Sequence, residues 1–260
     1  MFQSQIAIGD AQQWKNCDVE LLQAVLEGTY QSFSGMIGYE LDKHIIVTNV
    51  QGDNSPMIFY PQDTQEDREN YKIVLNIPDA SDWGKVIYQF SHEVGHAYCQ
   101  YYKSKVHKHK WFEEVLCEAI AISNINNIYR NWNALALSTH PHVSAIREQI
   151  LSYLNKVLQD VPKDITAANI LEFLNNCLPV FEIKSITKIW DLDSIQKLQA
   201  VAWFLCENLF YHDVQRWRAV KFLNEWDASA DKNFVDFMKN WAKCGDDNVK
   251  VITATLGIIL

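Results

Sequence analysis

Two histidines set four residues apart, with a glutamate directly after the first, are the part of this chain whose side chains can do chemistry together. They lie in Phe90-Ser91-His92-Glu93-Val94-Gly95-His96-Ala97-Tyr98. On a helix, positions i and i+4 project from neighbouring turns of one face, close enough for two imidazoles to chelate one metal ion. Glu93 stands about 100° around the helix from His92, so it can face a water on that ion without coordinating it. These are the means of a zinc hydrolase. Gly95 either leaves room beside the ion or packs as any small residue does.

The chemistry requires a helix, and the periodicity supports one. Val86, Phe90, Val94, Ala97 and Tyr101 fall on one apolar stripe, while His92 and His96 lie opposite with Gln89 and Lys103. Histidines that merely filled a core would more often share the stripe. Ser81 or Asp82 is placed to cap this helix.

A catalytic zinc takes three protein ligands and leaves one position for water, so a third donor must come from elsewhere. The segment Trp111-Phe112-Glu113-Glu114-Val115-Leu116-Cys117-Glu118-Ala119-Ile120-Ala121 offers it. Phe112, Val115, Leu116 and Ala119 form a core stripe there, and Glu114 and Glu118 share the opposite face. Between Val115 and Ile122 the only charge is Glu118, and a carboxylate in such surroundings is costly unless it meets a cation or a strong donor. Glu113 is accounted for more simply, as an acid stabilised by the helix macrodipole in the first turn.

Here the chain resembles the gluzincin metallopeptidases, the group that includes thermolysin and the related aminopeptidases. Their His-Glu-x-x-His helix is followed, after a short connection, by a second helix with a glutamate ligand, often within a Trp-[Leu/Phe]-x-Glu pattern. Trp111-Phe112-Glu113-Glu114 fits that pattern, and seventeen residues separate His96 from Glu114. The resemblance implies Zn²⁺ held by His92, His96 and Glu114, with Glu118 hydrogen-bonding a ligand histidine; the two glutamates could also exchange these roles. It implies Glu93 as general base and a peptide or protein as substrate. It covers about forty residues, roughly 84 to 125.

The resemblance also implies a small N-terminal sheet whose strand just before the motif helix, residues 73 to 77, is an edge that pairs with the substrate backbone. Asn76 would then offer a polar contact or stand on the exposed side of that edge. A peptidase needs in addition a donor for the oxyanion. The helical part offers Tyr129, His140, His142, Tyr211 and His212. Of these, Tyr211-His212-Asp213 is the most suggestive, since an acid near a histidine can keep it protonated. His140 and His142 flank Pro141 and read most easily as a helix-start loop.

Two other readings remain beside the peptidase. A non-hydrolytic zinc-binding domain acting as a protein-interaction module would need no general base and would take a fourth protein ligand, so Glu93 speaks against it. A helical interaction protein with a chance motif would bind no metal.

The remaining elements read as α+β. Asp18 is placed to cap a helix through Leu21, Leu22, Val25 and Leu26 to about Tyr30. Strand-like runs follow at 44–50, at 57–60 before Pro61, and at 71–77. After Trp111 the chain is helical almost throughout. Helices are expected over Val143–Leu158 behind Pro141, from Asp164 to Asn176, and over Ile195–Tyr211 behind Asp193. Two more are expected from Asp213 through Trp217 and Phe222, and over Phe234–Cys244 behind Ser229 or Asp231. The expected fold is a zincin-like α/β lobe over 1–135, with a small antiparallel or mixed sheet and the motif helix. A mostly α-helical lobe follows over 136–260, the boundary falling near Asn131 to Pro141.

Composition narrows the function classes. With 48% hydrophobic and 21% charged residues, the chain is not mainly disordered. A net charge of −9 argues against non-specific nucleic-acid binding, which needs clustered Lys and Arg. The basic run from Lys103 to Lys110 could attract a substrate carboxylate, or it is a solvated connection. Six cysteines without a Cys-x-x-Cys pair read as reduced core residues, and nine tryptophans as packing between helices. The first residues show neither a basic region nor an apolar segment, and no apolar run reaches the ~18 residues of a membrane span. A cytoplasmic location without membrane contact is therefore expected, with Val251 to Leu260 packed on the core.

Overall fold

The computed structural model describes residues 5–52, 55–61, 69–100, 103, 106–132 and 143–260. They form an α+β structure, mostly helical, with one four-stranded sheet. Tyr101, His140, Pro141 and His142 lie outside the described residues, as does most of the expected lobe boundary. The chain forms two compact units. One comprises Met1–Gly35, Tyr39–Ala97 and Ile120–Leu158, the other Met36–Gly38, Tyr98–Ala119 and Gln159–Leu260.

The sheet of the first unit contains β1 (Ile6–Ile8), β2 (Ile45–Asn49), β3 (Met57–Phe59) and β4 (Tyr71–Leu75), in the order β1-β2-β4-β3. The first three strands in that order run parallel and β3 is antiparallel to β4. The sheet is thus mixed. In β2, buried Ile45, Val47 and Asn49 alternate with half-buried Ile46 and Thr48, the period of a pleated strand. α1 (Val19–Ile37) supplies the crossover that parallel pairing of β1 with β2 requires.

One expectation about this sheet is corrected. β4 is paired on both sides, by β2 and by β3, so residues 73 to 77 are not a free edge. The short run 57–59 folds back antiparallel and takes the outer side of β4 itself. Asn76, just past β4, donates its backbone N–H to Gln89 Oε1 at 3.0 Å and its Nδ2 to the Gly52 carbonyl at 2.8 Å.

α1 starts as expected, with Asp18 Oδ1 accepting from Leu21 N, and continues seven residues past Tyr30 to Ile37. α2 (Trp83–Tyr98) carries the motif, and Asp82 is its cap, accepting from Lys85 N at 3.1 Å. Val86, Phe90, Val94 and Ala97 are buried, as the stripe requires. The chain leaves the helix with Gln100 at φ 56°, so Lys103 lies beyond its end.

Two contacts within this unit fix α2. A Cβ on Gly84 would stand 2.3 Å from Tyr153 Cβ, so glycine lets α2 approach α4 (Val143–Gln159) closely, and Trp83 N donates to Gln149 Oε1 alongside. Farther along, Asn124 Nδ2 donates to Ser91 Oγ and to the Thr29 carbonyl, while its Oδ1 accepts from Ser32. Asn124 is fully buried, and Ser91 directly precedes His92, so this knot sets the motif helix against α1 and α3 (Trp111–Arg130).

The second unit holds the first half of α3 together with α5 (Ile170–Thr187), α6 (Leu192–Leu205), α7 (Phe234–Ala242) and α8 (Asp247–Thr255). Several starts differ from expectation. Residues 164–169 form a turn in which Asn169 Nδ2 donates to the Asp164 carbonyl, so α5 begins later and runs to Thr187. Asp191, not Asp193, caps α6, and Asp193 pairs instead with Lys197. α6 ends in a π-helical turn, Cys206–Phe210; Asp213 then caps a 3-10 helix, Val214–Phe222. Asn233, rather than Ser229 or Asp231, caps α7, and Asp246 caps α8.

Aromatic rings form the centre of this unit. Trp111 lies 4.6 Å from Phe234 and 5.0 Å from Phe181 between ring centres, and Phe112 meets Phe237 and Trp241. Phe210 stacks on Trp217 at 3.6 Å and 9°. The tryptophans 111, 217 and 241 are fully enclosed, in keeping with packing between helices. All six cysteines are free, and Cys99, Cys117, Cys177 and Cys206 are buried. At the C-terminus Val249, Ile252, Leu256 and Ile258 pack inward, while Ile259 and Leu260 stay exposed. No helix among the described residues is long and apolar enough to cross a membrane.

Candidate metal centre

His92 and His96 stand on successive turns of α2, with ring centres 5.1 Å apart and planes at 70°. Glu114 comes from the first turn of α3. One ligand atom from each of the three lies within 4.8 Å of the other two. Zinc bonds of about 2.0–2.2 Å would bring tetrahedral donors to about 3.4 Å, so modest side-chain movement closes the set. Two imidazoles and one carboxylate are donors that suit zinc. His96 is buried, whereas His92 and Glu114 are half-buried and leave an approach from solvent. Glu93, beside His92, is 5% exposed.

A second group shares His96: His96, Glu113 and Cys117, all buried, also offer ligand atoms within 4.8 Å of one another. Their surroundings disfavour a cation there. Glu113 Oε2 already accepts from Lys110 Nζ at 3.0 Å and from Asn224 Nδ2 at 2.8 Å. Burial, and after it the neighbouring Cys99, push the Cys117 thiol well above its usual range, whereas a metal takes the thiolate.

Glu113 lies in the first turn of α3, as expected of a helix-start acid, and it is also 2% exposed and held in a closed network. Lys110 Nζ also reaches Asn224 Oδ1 at 3.1 Å, and Asn224 Nδ2 donates to the Cys99 carbonyl at 2.7 Å. The available signal was Lys110 three residues before Glu113, both beside large aromatics. Trp111 N donates to Ser185 Oγ at 2.8 Å, which further anchors the start of α3 to α5. Asn224 also lines a cavity of about 420 Å³ with Lys103, Glu225, Trp226 and Asp227.

The other expected site residues are placed as follows. Glu118 is half-buried one turn beyond Glu114 and joins neither ligand group. Tyr211 packs edge-on against Trp203, with ring centres 6.1 Å apart, and His212 is exposed. Asp213 caps the 3-10 helix and its carboxylate lies 3.5 Å from Arg216 Nε. Tyr129 lies under the Arg147 guanidinium at 4.9 Å.

The chain matches no protein-family model, no curated protein and no solved structure. Any functional assignment therefore rests on these side chains alone.

Proposed function

We propose that this chain is a zinc-dependent peptidase of the gluzincin kind, with a zincin-like catalytic core. One observation carries the reading: the ligand atoms of His92, His96 and Glu114 converge within 4.8 Å from two helices, with buried Glu93 beside them. In this reading His92, His96 and Glu114 hold Zn²⁺. When bound, the ion supplies Lewis acidity toward a peptide carbonyl and lowers the pKa of a coordinated water.

The chain's own residues supply the remainder. Glu93 accepts a proton from the attacking water and returns it to the leaving amine. Gln89, one turn before Glu93, ties α2 to the chain just past β4 through Asn76 N. If a peptide binds by strand addition, β3 rather than β4 is the nearby strand paired on one side only among the described residues.

The test uses the purified full chain and its Glu93→Gln variant, with zinc measured by elemental analysis and a peptide library digested and read by mass spectrometry. One zinc per chain in both, with cleavage by wild type alone, is the expected result. Zinc without cleavage would point to the interaction module, and absence of zinc binding would sink both metal readings.

A further inference from the structure

The connection into α3 carries two buried histidines that the proposed chemistry does not use, His107 at 6% and His109 at 0% exposure. Both rings pack on Phe237, at 5.7 and 5.3 Å, and His109 also meets Phe234. The backbone N–H of His109 donates to His107 Nδ1 at 3.2 Å. That bond fixes the tautomer: Nδ1 is the acceptor, so the neutral ring carries its hydrogen on Nε2. A second proton would have to go on Nδ1, setting N–H against N–H.

The charges around the two rings differ. Among the described residues, Lys110, Lys188 and His109 act on His107 with like charge and Glu113 with opposite charge, and Glu113 is already paired with Lys110. His109 Nε2 lies 3.4 Å from the Asp231 carbonyl and its Nδ1 lies 3.7 Å from Glu182 Oε1. Lys108 Nζ stands 3.5 Å from the same Glu182 oxygen and donates to the Lys232 carbonyl. Thus His109 has an acid beside the nitrogen that would take a proton. His107 has cations and a backbone N–H.

We propose that His107 is an acid-sensitive latch: its unprotonated ring fastens the turn 107–110 that leads into α3, and protonation of Nδ1 as the pH falls undoes the fastening. The inference does not depend on the metal reading. Burial first, and then Lys110 and His109, hold the His107 imidazole down to about 3. Burial also lowers His109, with the Asp231 carbonyl and Glu182 acting in the opposite direction.

The direction of the effect follows from linkage. In the unfolded chain a histidine takes its proton near pH ~6.5, and in the folded chain His107 does so only far below that. Between the two, the unfolded state binds the additional proton. The latch therefore contributes its full stability above about pH 6.5; as the pH falls below that, toward about 3, the folded ring stays unprotonated while the unfolding constant gains about tenfold per pH unit from this one group.

The experiment compares the metal-free full chain with its His107→Asn variant by urea unfolding between about pH 7.5 and 5.5. Asn Oδ1 can accept the same N–H two residues on, as in an Asx turn, and does not titrate. The expected result is a shallower pH dependence in the variant, by up to tenfold per pH unit in the unfolding constant; equal slopes would overturn the proposal. A wild-type measurement needs no variant to fold. In an NMR titration the His107 ring should keep its neutral-form shifts down to about pH 5, and a midpoint near pH 6.5 would refute the latch.

Discussion

Lys110 Nζ lies 3.0 Å from Glu113 Oε2, and each residue is only 2% exposed. An ion pair so enclosed survives because Asn224 adds an acceptor to the lysine and a donor to the glutamate. Breaking it on one side strands a charge. Lys110→Met is expected to cost about 3–5 kcal/mol in urea unfolding, and Lys110→Met with Glu113→Gln to recover much of that loss. Equal stability of the single and double variants would show that the pair is not coupled.

The ligand assignment separates two glutamates one turn apart. Glu114→Gln should lose zinc on dialysis against a mild chelator, while Glu118→Gln should retain it, with affinity weakened by at most about 10–100-fold. Competition with a chromophoric chelator measures both. The opposite ranking would transfer the ligand role to Glu118.

Two glycines in helices should respond in opposite directions to the same change. At Gly84 a Cβ would meet Tyr153 Cβ at 2.3 Å and the Gln149 carbonyl at 2.9 Å, so Gly84→Ala must push two helices apart. A loss of about 1–3 kcal/mol is expected, outweighing the better helix propensity of alanine. At Gly35 nothing stands within 4 Å, and Gly35→Ala should stabilise by about 0.5–1 kcal/mol. Thermal or urea unfolding of the two variants decides.

Asn124→Ala removes a donor from Ser91 Oγ and from the Thr29 carbonyl at a fully buried position. A loss of about 1–3 kcal/mol is expected from the orphaned groups. Because Ser91 adjoins His92, zinc affinity should fall along with stability. An unchanged zinc affinity would show that this knot supports the fold without setting the ligand helix.

What could be read beforehand was what local pattern encodes. The stripe of α2, the capping by Asp82 and the β-branched run of β2 each depend on neighbours in sequence, and each is present. The three residues of β1 are too few to show a period, and the order β1-β2-β4-β3 depends on pairings between distant segments. Asp191 and Asp193 offer the same cap chemistry two positions apart. In the fold Asp191 accepts from Ser194 N while Asp193, inside the first turn, pairs with Lys197.

At the site, the spacing of His92, Glu93 and His96 was legible because one helix carries all three. Glu114 was legible only through the resemblance of its surroundings. The burial of Glu113 was not, since its partner Asn224 lies 111 positions away. Likewise His107 and His109 looked like part of a basic connection until Phe234 and Phe237 closed over them.

The aspartates at positions 10, 18, 82, 191, 213, 227 and 246 each turn a carboxylate toward a backbone N–H at the start of a helical segment. Seven of the 32 acidic residues are thus committed to starting helical segments, each with its charge set against the positive end of a helix dipole. That share of the chain's negative charge is fixed by its architecture.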